Sequence, residues 1–363
     1  MQGKCYVARN LKWVFLVTTA LTAPDSYTVR KSDSGFALKA IGALCVVLMV
    51  FMLLIVKISA LVSVESGPVL ASFMMLALWA GLGICAVAQL VAIATPGAWK
   101  LDIRAPWLIV SILMTGVTLP LFELFKQHVL PARGFPLDPY VAALDRLLFA
   151  GNDAWRLTHA LFGSVNGTLF FDRVYALWLP IMFVFPMVAV MAARDTRVRA
   201  RLLGCWVASW VLIAGLGAWI FGSAGPCYYI QLVGPDAGFS ALNDQLARLS
   251  SEAHTNGQVI AALDFQAMLL SEHLHTEFLP AGGISAMPSM HVAMAMLFAL
   301  GSFQISRWLG WAMTGYAILI WIGSVHLGWH YAADGIAGAA MMALLWHVSG
   351  KLMNPLSQAA LSR

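Results

Sequence analysis

The chain has 363 residues, of which 60% are hydrophobic and 11% are charged, and its formal net charge is +5. With a mean hydropathy of +0.79, this composition excludes an ordinary soluble globular protein. The positive charge does not indicate a nucleic-acid partner, because no basic patch interleaved with aromatic residues occurs. The five cysteines lie far apart, so the sequence shows neither a disulfide framework nor a zinc-ligand spacing.

The first 35 residues carry basic side chains on both sides of a short apolar piece, Trp13–Ala23. A basic start followed by a short apolar run is also typical of a cleaved signal peptide. We favour an uncleaved cytoplasmic or interfacial segment, because basic residues follow the apolar piece as well as precede it.

Beyond residue 35 the sequence contains apolar runs long enough to cross a bilayer as helices. We predict an all-α, polytopic membrane bundle of about eight transmembrane helices, at 36–56, 69–94, 106–125, 174–193, 202–221, 288–304, 308–326 and 331–350. Arginine and lysine concentrate in every second connecting loop. The positive-inside rule therefore predicts that both termini are cytoplasmic. The small size and short loops favour a bacterial inner membrane.

These spans and loops predict five regions. They are a cytoplasmic or interfacial segment (1–35), a three-helix region (36–130), extracytoplasmic interfacial helices (131–173), a membrane core (174–350) with an extracytoplasmic lid loop (223–287), and a cytoplasmic tail (351–363). The outer loops are predicted to form amphipathic helices, because apolar residues recur there at helical spacing, as at Leu137, Val141, Leu144 and Leu148.

The predicted span 288–304 opens with Pro288-Ser289-Met290-His291. Proline suits the first position of a helix, because its missing N–H would have no partner there. The N–H groups of Ser289 and Met290 would then be free to bind an anion, helped by the helix dipole. An ordinary capped helix start explains the proline and the serine, but it gives no reason for the histidine.

A second polar motif runs from His326 through His330 to Asp334 at the start of the last span. At positions i and i+4 of a helix, the imidazole of His330 and the carboxylate of Asp334 lie side by side. The carboxylate can hold one ring nitrogen protonated and leave the other as a nucleophile. A polar helix end would explain this pair alone, but not two histidine motifs predicted on one membrane face.

The two motifs resemble the second and third signature motifs of the type 2 phosphatidic acid phosphatase superfamily. That superfamily contains membrane lipid-phosphate phosphatases and lipid phosphotransferases. The resemblance implies that His330 becomes phosphorylated, that Asp334 orients it and that His291 acts as the acid. It also implies a lipid phosphate or phospholipid substrate, a lipid alcohol acceptor if the enzyme is a transferase, and no cofactor.

The chain departs from the superfamily pattern at one position and lacks a recognisable first motif. Gly323-Ser324 stands where the superfamily has Ser-Arg before the histidine. The branch of inositol phosphorylceramide synthases also lacks this arginine, and Gly225–Tyr229 is similar to its Pro-x-Tyr-Tyr-like stretch. Residues 144–155 resemble that branch more loosely. We therefore favour a lipid phosphotransferase of this type that acts through a phosphohistidine outside the cytoplasm. A lipid-phosphate or polyprenyl-diphosphate phosphatase is the alternative.

Several side chains predicted on the same face are candidates for substrate contacts, and some of them could replace the missing arginine. They are His326, Tyr228, Tyr229, Arg173 and Arg156, with Arg133 and Arg146 as further basic candidates. A solvated interfacial charge is the simpler explanation for any single arginine among them.

Other classes of function fit the sequence less well. His291, His326, His330 and Asp334 have donor atoms that suit zinc, but the resemblance is to a metal-free family, so we predict no metal. A lipid transporter or flippase is the alternative from another class. Ion-coupled transport is disfavoured, because the predicted spans are nearly free of ionisable residues away from their ends. A non-catalytic scaffold gives no reason for two histidine motifs.

Overall fold

A computed structural model describes residues 50, 66–94, 101–193, 195–235, 238–275 and 282–353. These residues form helices joined by turns and loops, and no strand occurs among them. The predicted all-α class is therefore confirmed. The predicted span 36–56 (residue 50 excepted), the segment 1–35 and residues 354–363 lie outside the described part of the chain.

The α-helices follow one another along the whole described chain. In order they are α1 (Ser66–Ala94), α2 (Leu101–His128), α3 (Asp138–Leu148), α4 (Ala154–Phe162), α5 (Val165–Ala176), α6 (Trp178–Ala192), α7 (Thr196–Ser209), α8 (Ser240–Thr255), α9 (Ala261–His275), α10 (Met290–Phe303), α11 (Arg307–His326) and α12 (Ala332–Met353). Shorter helical pieces lie at Leu130–Arg133, Trp210–Gly217, Ala218–Phe221, Pro226–Tyr228 and Tyr229–Val233.

Five helical stretches of the described chain are long and apolar enough to cross a membrane. They are Pro106–Arg133, Val165–Ala192, Thr196–Val233, Arg307–His326 and Ala332–Leu352. Two shorter apolar helices are Ala71–Ile84 and Met290–Phe303. The chain is therefore a multi-pass membrane protein by the length and composition of its helices. The total of eight spans stays a prediction.

Two helix starts differ from the predicted spans. The span predicted at 174–193 is the second part of a stretch that begins at Val165, where the Ser164 side chain caps α5 by accepting a hydrogen bond from Gly167 N. Helix α10 begins at Met290 rather than at Pro288, because Ser289 is its N-cap and accepts from Val292 N. Proline and serine thus precede the helix and stop it from extending further back.

Helix α10 is the centre of the bundle. It packs against α6, α7, α11 and α12, and Met294, Leu297 and Phe298 are fully buried. A helix that is apolar on every side is buried on every side. Its 14 residues make a rod about 21 Å long, shorter than the hydrocarbon core of a bilayer, which is about 30 Å. Helix α10 is therefore too short to span the hydrocarbon core by itself.

One glycine allows the two histidine-bearing helices to approach. A Cβ on Gly338 of α12 would lie 2.3 Å from the carbonyl oxygen of Ser289. No side chain can occupy that space, so the start of α10 lies directly on the backbone of α12. This close contact fixes the separation of the two motifs.

The end of the bundle that carries the two motifs is covered by a second layer, which we call the cap layer. It consists of α3, α4, α8, α9 and the loops between them and the membrane helices. Helix α3 packs on α12 and α4 packs on α11, whereas α8 and α9 pack on α5. The sequence predicted helices in both of these loop regions, and the structure has them. Their location in the membrane interface stays a prediction.

Buried carboxylates tie the cap layer to the bundle. Asp172 of α5 accepts hydrogen bonds from the backbone N–H groups of Ala261 and Ala262 at the start of α9. Glu272 of α9 accepts from Gly283 N, in the loop that leads to α10. Hydrogen bonds with a charged partner are stronger than neutral ones, so these contacts add to the apolar packing that holds the loops in place.

Candidate active site

The turn between α11 and α12 places His330. The carbonyl oxygen of Ser324, in the last turn of α11, accepts hydrogen bonds from the N–H groups of Trp329 (2.9 Å) and His330 (3.2 Å). Gly328 has a positive φ of 76°, which favours glycine. Leu327 and His330 are buried on the two sides of this turn. His330 is therefore held by backbone contacts before α12 begins.

His330 and Asp334 form the pair that their spacing predicts. Nδ1 of His330 lies 3.4 Å from Oδ2 of Asp334, but the ring N–H is not aligned for a hydrogen bond. Oδ2 instead accepts from Tyr331 N at 2.9 Å, and Oδ1 has no partner among the described residues. Both side chains are buried, with exposed fractions of 4% and 0%. Hydrogen bonds between catalytic groups are often long when no substrate is bound.

The backbone of Asp334 also joins the two motifs. Its carbonyl oxygen accepts a hydrogen bond from Ser289 N at 3.0 Å. The predicted free N–H of Ser289 is therefore already occupied. The N–H of Met290 lies in the first turn of α10, where it has no acceptor within the helix. Of the two predicted anion donors, Ser289 N–H is therefore not available, and the role of Met290 N–H stays a prediction.

The structure brings the two histidines together. The ring centroids of His291 and His330 lie 5.6 Å apart, with 62° between the ring planes. Aromatic side chains surround His291, with Tyr175 at 4.7 Å and Trp178 at 4.2 Å between centroids. Trp178 Nε1 also donates to the carbonyl oxygen of His291 at 2.9 Å. The His291 imidazole therefore stands in an aromatic pocket that faces His330.

Lys126 of α2 lies near this pocket, and the sequence did not suggest it as a site residue. Its stem packs closely against Gly283, in the loop that leads to α10. The acidic side chains around it are Glu123 and Glu272. The only signal in the sequence is a lysine at the end of an apolar span. That signal cannot reveal that α2 ends beside α10.

The structure places His326 away from the two catalytic candidates. It is fully buried, and its Nε2 forms a hydrogen bond with Thr168 Oγ1 at 2.9 Å. Its ring stacks on His159 at 4.1 Å between centroids, and His159 Nε2 donates to the His326 carbonyl oxygen. The contacts of His326 are therefore with α4 and α5, where it joins the cap layer to α11.

The two tyrosines of the Pro-x-Tyr-Tyr-like stretch are buried in different surroundings. The Tyr228 hydroxyl donates to the carbonyl oxygen of Gln266 on α9, and its ring lies 6.4 Å from that of Trp329. Tyr229 packs on Phe239, ahead of α8. Tyr228 thus reaches the wall of the site through Trp329, whereas Tyr229 packs within the cap layer.

The predicted arginines do not contact the two histidines in the described structure. Arg173 is exposed on α5. Arg156 and Arg146 both pair with Asp153, with nitrogen–oxygen distances of 3.3 and 2.6 Å. Arg133 donates to backbone carbonyl oxygens of residues 219 and 220. Each arginine has a role in the cap layer or an exposed position.

The two motifs contain four side chains with donor atoms that suit zinc, and the described part of the chain includes all four. There, no group of three or more histidine, cysteine, aspartate or glutamate side chains is arranged to hold a metal ion. Although His291, His330 and Asp334 are close, His326 faces α5. The set of four donors considered from the sequence is therefore not assembled.

Comparison with known proteins assigns the chain to a family. The sequence model of the PAP2 superfamily matches residues 139–348, more than half of the chain. The chain therefore belongs to the PAP2 superfamily, the group that its two histidine motifs resemble. No curated protein and no solved structure is significantly similar to it. Family membership and the apolar helices fit a membrane lipid phosphatase or phosphotransferase.

Proposed function

We propose that this protein is an integral membrane lipid phosphotransferase that moves a phosphate-containing head group between lipids. The observation that carries the proposal is the convergence of His291, His330 and Asp334, with imidazole centroids 5.6 Å apart and the carboxylate 3.4 Å behind His330. A nucleophile, the group that orients it and a proton donor are the parts needed for a two-step transfer.

In the first step, Nε2 of His330 attacks the phosphorus of the donor lipid. A P–N bond forms and the bond from phosphorus to the leaving oxygen breaks. His291, which starts this step as an imidazolium, gives its proton to that oxygen and becomes neutral. Asp334 stabilises the proton on Nδ1 of His330, so that Nε2 carries the lone pair. In the second step, an acceptor hydroxyl attacks the phosphorus, His291 takes its proton, and the P–N bond breaks.

The equatorial oxygens of the transferred group need positive charge or hydrogen-bond donors. The stem of Lys126 packs against Gly283 in the loop that leads to α10, and Met290 N–H lies at the start of α10, where helices bind anions. In this proposal Lys126 replaces the missing motif arginine and Met290 N–H adds a donor.

The burial of the site favours transfer over hydrolysis. His330 is 4% exposed and Asp334 is not exposed, and aromatic rings enclose His291. A site that excludes water protects a reactive phosphohistidine from hydrolysis. A lipid alcohol that enters from the bilayer would then be the acceptor. The alternative product is free phosphate, as in a lipid-phosphate or polyprenyl-diphosphate phosphatase.

The distribution of basic residues supports an extracytoplasmic site. The starts of α7 and α11, at the other end of the bundle, carry Arg197, Arg199, Arg201 and Arg307, and positive charge flanking membrane helices favours the cytoplasmic side. We therefore propose that the cap layer and the site face the periplasm of a bacterial inner membrane, with both termini in the cytoplasm.

The test is turnover of labelled lipid phosphates by the purified, detergent-solubilised full chain. We expect His330→Ala to lower the rate at least about a thousandfold and orthovanadate to inhibit the wild type. His254→Ala, at an exposed position of α8, is the matched control and should keep wild-type activity. Full activity of His330→Ala would overturn the phosphohistidine mechanism.

Addition of an acceptor separates transferase from hydrolase. We expect a new phosphorylated lipid to appear when ceramide or diacylglycerol is added, and the release of free phosphate to fall. Release of free phosphate at an unchanged rate, with no new lipid, would assign hydrolysis instead.

A further inference from the structure

Helix α3 turns its carboxylates inward and its leucines outward. Asp138, Val141, Ala142 and Asp145 are its buried residues, and Asp138 and Asp145 lie about two helical turns apart on one face. On the rest of the surface, Tyr140, Leu144, Leu147 and Leu148 are exposed. Charged residues are rarely buried without a partner, so the inward carboxylates need an explanation.

Asp138 holds together three segments that are distant in sequence. Its Oδ1 accepts hydrogen bonds from Tyr331 Oη (2.9 Å), Gly225 N (2.9 Å) and Ser223 Oγ (3.1 Å). Its Oδ2 accepts from Ala224 N at 2.7 Å. Tyr331 follows His330 directly. Asp138 therefore ties α3 and the loop after the short helix Ala218–Phe221 to the residue next to the proposed nucleophile.

Asp145 holds the other side of the same turn. Its Oδ1 accepts from Ala333 N at 2.8 Å, at the start of α12. Ala333 precedes Asp334, and Tyr331 N is itself bonded to the Asp334 carboxylate. A carboxylate at a helix N-terminus satisfies a free N–H and interacts favourably with the helix dipole. Asp145 thus caps α12 from a different helix.

We infer that Asp138 and Asp145 are positioning residues for phosphoryl transfer, because together they set the geometry of the turn from His330 to Asp334. This inference rests on the proposed function. The His330–Asp334 contact is 3.4 Å and is not aligned, so small shifts of the turn decide whether the carboxylate can orient the imidazole. Displacements of about 1 Å at a catalytic group can cost about a hundredfold in rate.

The experiment measures kcat and KM for Asp145→Ala, Asp145→Asn and Tyr331→Phe. We expect Asp145→Ala and Tyr331→Phe to lower kcat by between about tenfold and a hundredfold, with little change in KM, because neither residue contacts the substrate. Asp145→Asn keeps an oxygen that accepts from Ala333 N, so it should restore most of the rate. Phosphohistidine formation in a single turnover should slow in parallel with kcat.

Asp172→Ala is the matched control. Asp172 is also a buried carboxylate that accepts two backbone N–H groups at a helix start, but that helix is α9 rather than α12. Its kcat should stay within about twofold of wild type, with a loss of thermal stability similar to that of Asp145→Ala. If Asp145→Ala does not fold, Tyr331→Phe decides, since it removes one hydroxyl and keeps the ring.

A fall in kcat no larger than that of Asp172→Ala, in folded Asp145→Ala or Tyr331→Phe, would overturn the inference. The His330→Ala variant keeps this outcome distinct from failure of the proposed function. If His330→Ala is inactive while Asp145→Ala matches the control, only the positioning role is lost. If His330→Ala is active, the phosphotransfer mechanism itself fails.

Discussion

The centre of the bundle and the cap layer both bury apolar side chains, but of these two described regions only the cap layer has buried carboxylates as a prominent part of its contacts. Around α10, large side chains such as Met187, Trp206 and Phe298 are fully buried, and the hydroxyl of Ser209 bonds to its own helix. In the cap layer and where it meets the bundle, buried carboxylates accept N–H groups from segments far away in the sequence. Apolar packing is not directional, whereas a carboxylate fixes specific donors in place.

This difference suits a site at the border of the two regions. Phosphoryl transfer needs groups held to within a fraction of an ångström, and Asp138 and Asp145 can provide that accuracy. The bundle provides the depth and the exclusion of water. We therefore expect substitutions of Asp145 and Tyr331 to lower the rate far more than the control Asp172→Ala does, and a substitution at the close contact of α10 with α12 to lower both rate and stability.

We expect the largest effect from a substitution in the His330–Asp334 pair, which lies where the bundle meets the cap layer. Asp334→Asn keeps the shape of the side chain, and its carbonyl oxygen can still accept from Tyr331 N. An amide does not stabilise the Nδ1–H imidazolium as a carboxylate does, so kcat should fall roughly a thousandfold or more while the fold is kept. Initial rates and thermal unfolding of the purified protein measure both effects. An equal loss of rate in Asp172→Asn would contradict this assignment.

The next largest effect is expected from Gly338→Ala, which changes the packing of α10 on α12. In Gly338→Ala the new Cβ would lie 2.3 Å from the Ser289 carbonyl oxygen, so α10 and α12 must move apart. We expect a loss of about 1–3 kcal/mol in the free energy of unfolding, together with a lower kcat, because His291 and His330 separate. Denaturant unfolding in detergent and initial rates provide the measurements.

A second glycine serves as the control for that prediction. Gly315 on α11 has no heavy atom within 4 Å of an added Cβ. Gly315→Ala should leave the rate unchanged and stabilise the helix by up to about 1 kcal/mol. Equal destabilisation of both variants would show that the contact at Gly338 is not close.

The smallest effect is expected on the pH dependence of stability, through the titration of His159 in the cap layer. Burial lowers the pKa of His159 below its ordinary value of 6.5, although the bond to the His326 carbonyl opposes part of that shift. Below pH 6.5 the unfolded chain binds more protons at this position than the folded chain, so the contribution of His159 to stability falls as the pH decreases. His159→Gln keeps an N–H donor and cannot titrate.

The measurement is the difference in melting temperature between wild type and His159→Gln from pH 7.5 to 5. We expect the wild type to lose stability relative to the variant below pH 6.5. Asp145, whose pKa burial raises to about 6, acts in the opposite direction, because its contribution decreases as pH rises towards 6. Both proteins contain Asp145, so its titration cancels in the difference, which reports on His159 together with the His326 ring stacked on it. Parallel curves would contradict the prediction.

The features that the sequence could predict are those fixed by local geometry. The apolar runs predicted membrane helices, and five such stretches occur in the described chain. The spacing of His330 and Asp334 placed the two side chains together, because positions i and i+4 share one face of any helix. The family of the chain followed from two short motifs and agrees with the match over residues 139–348.

The features that the sequence could not predict depend on the contact of segments distant along the chain. Lys126, at the end of α2, packs against Gly283 in the loop before α10. Tyr331 meets Asp138 from nearly two hundred residues away, and His326 bonds to α5 instead of facing the phosphate site. Amphipathic spacing in α3 predicted a helix but not that its carboxylates would face inward.

The amino-acid order by itself determined a helical membrane protein with a histidine–aspartate pair and a second histidine, since helix periodicity and hydropathy act over a few residues at a time. Only the tertiary structure decided which cation, aromatic rings and carboxylates surround that pair. Those neighbours are chosen by the packing of whole helices against one another, and the contact of Gly338 with Ser289 shows how one missing side chain sets that distance.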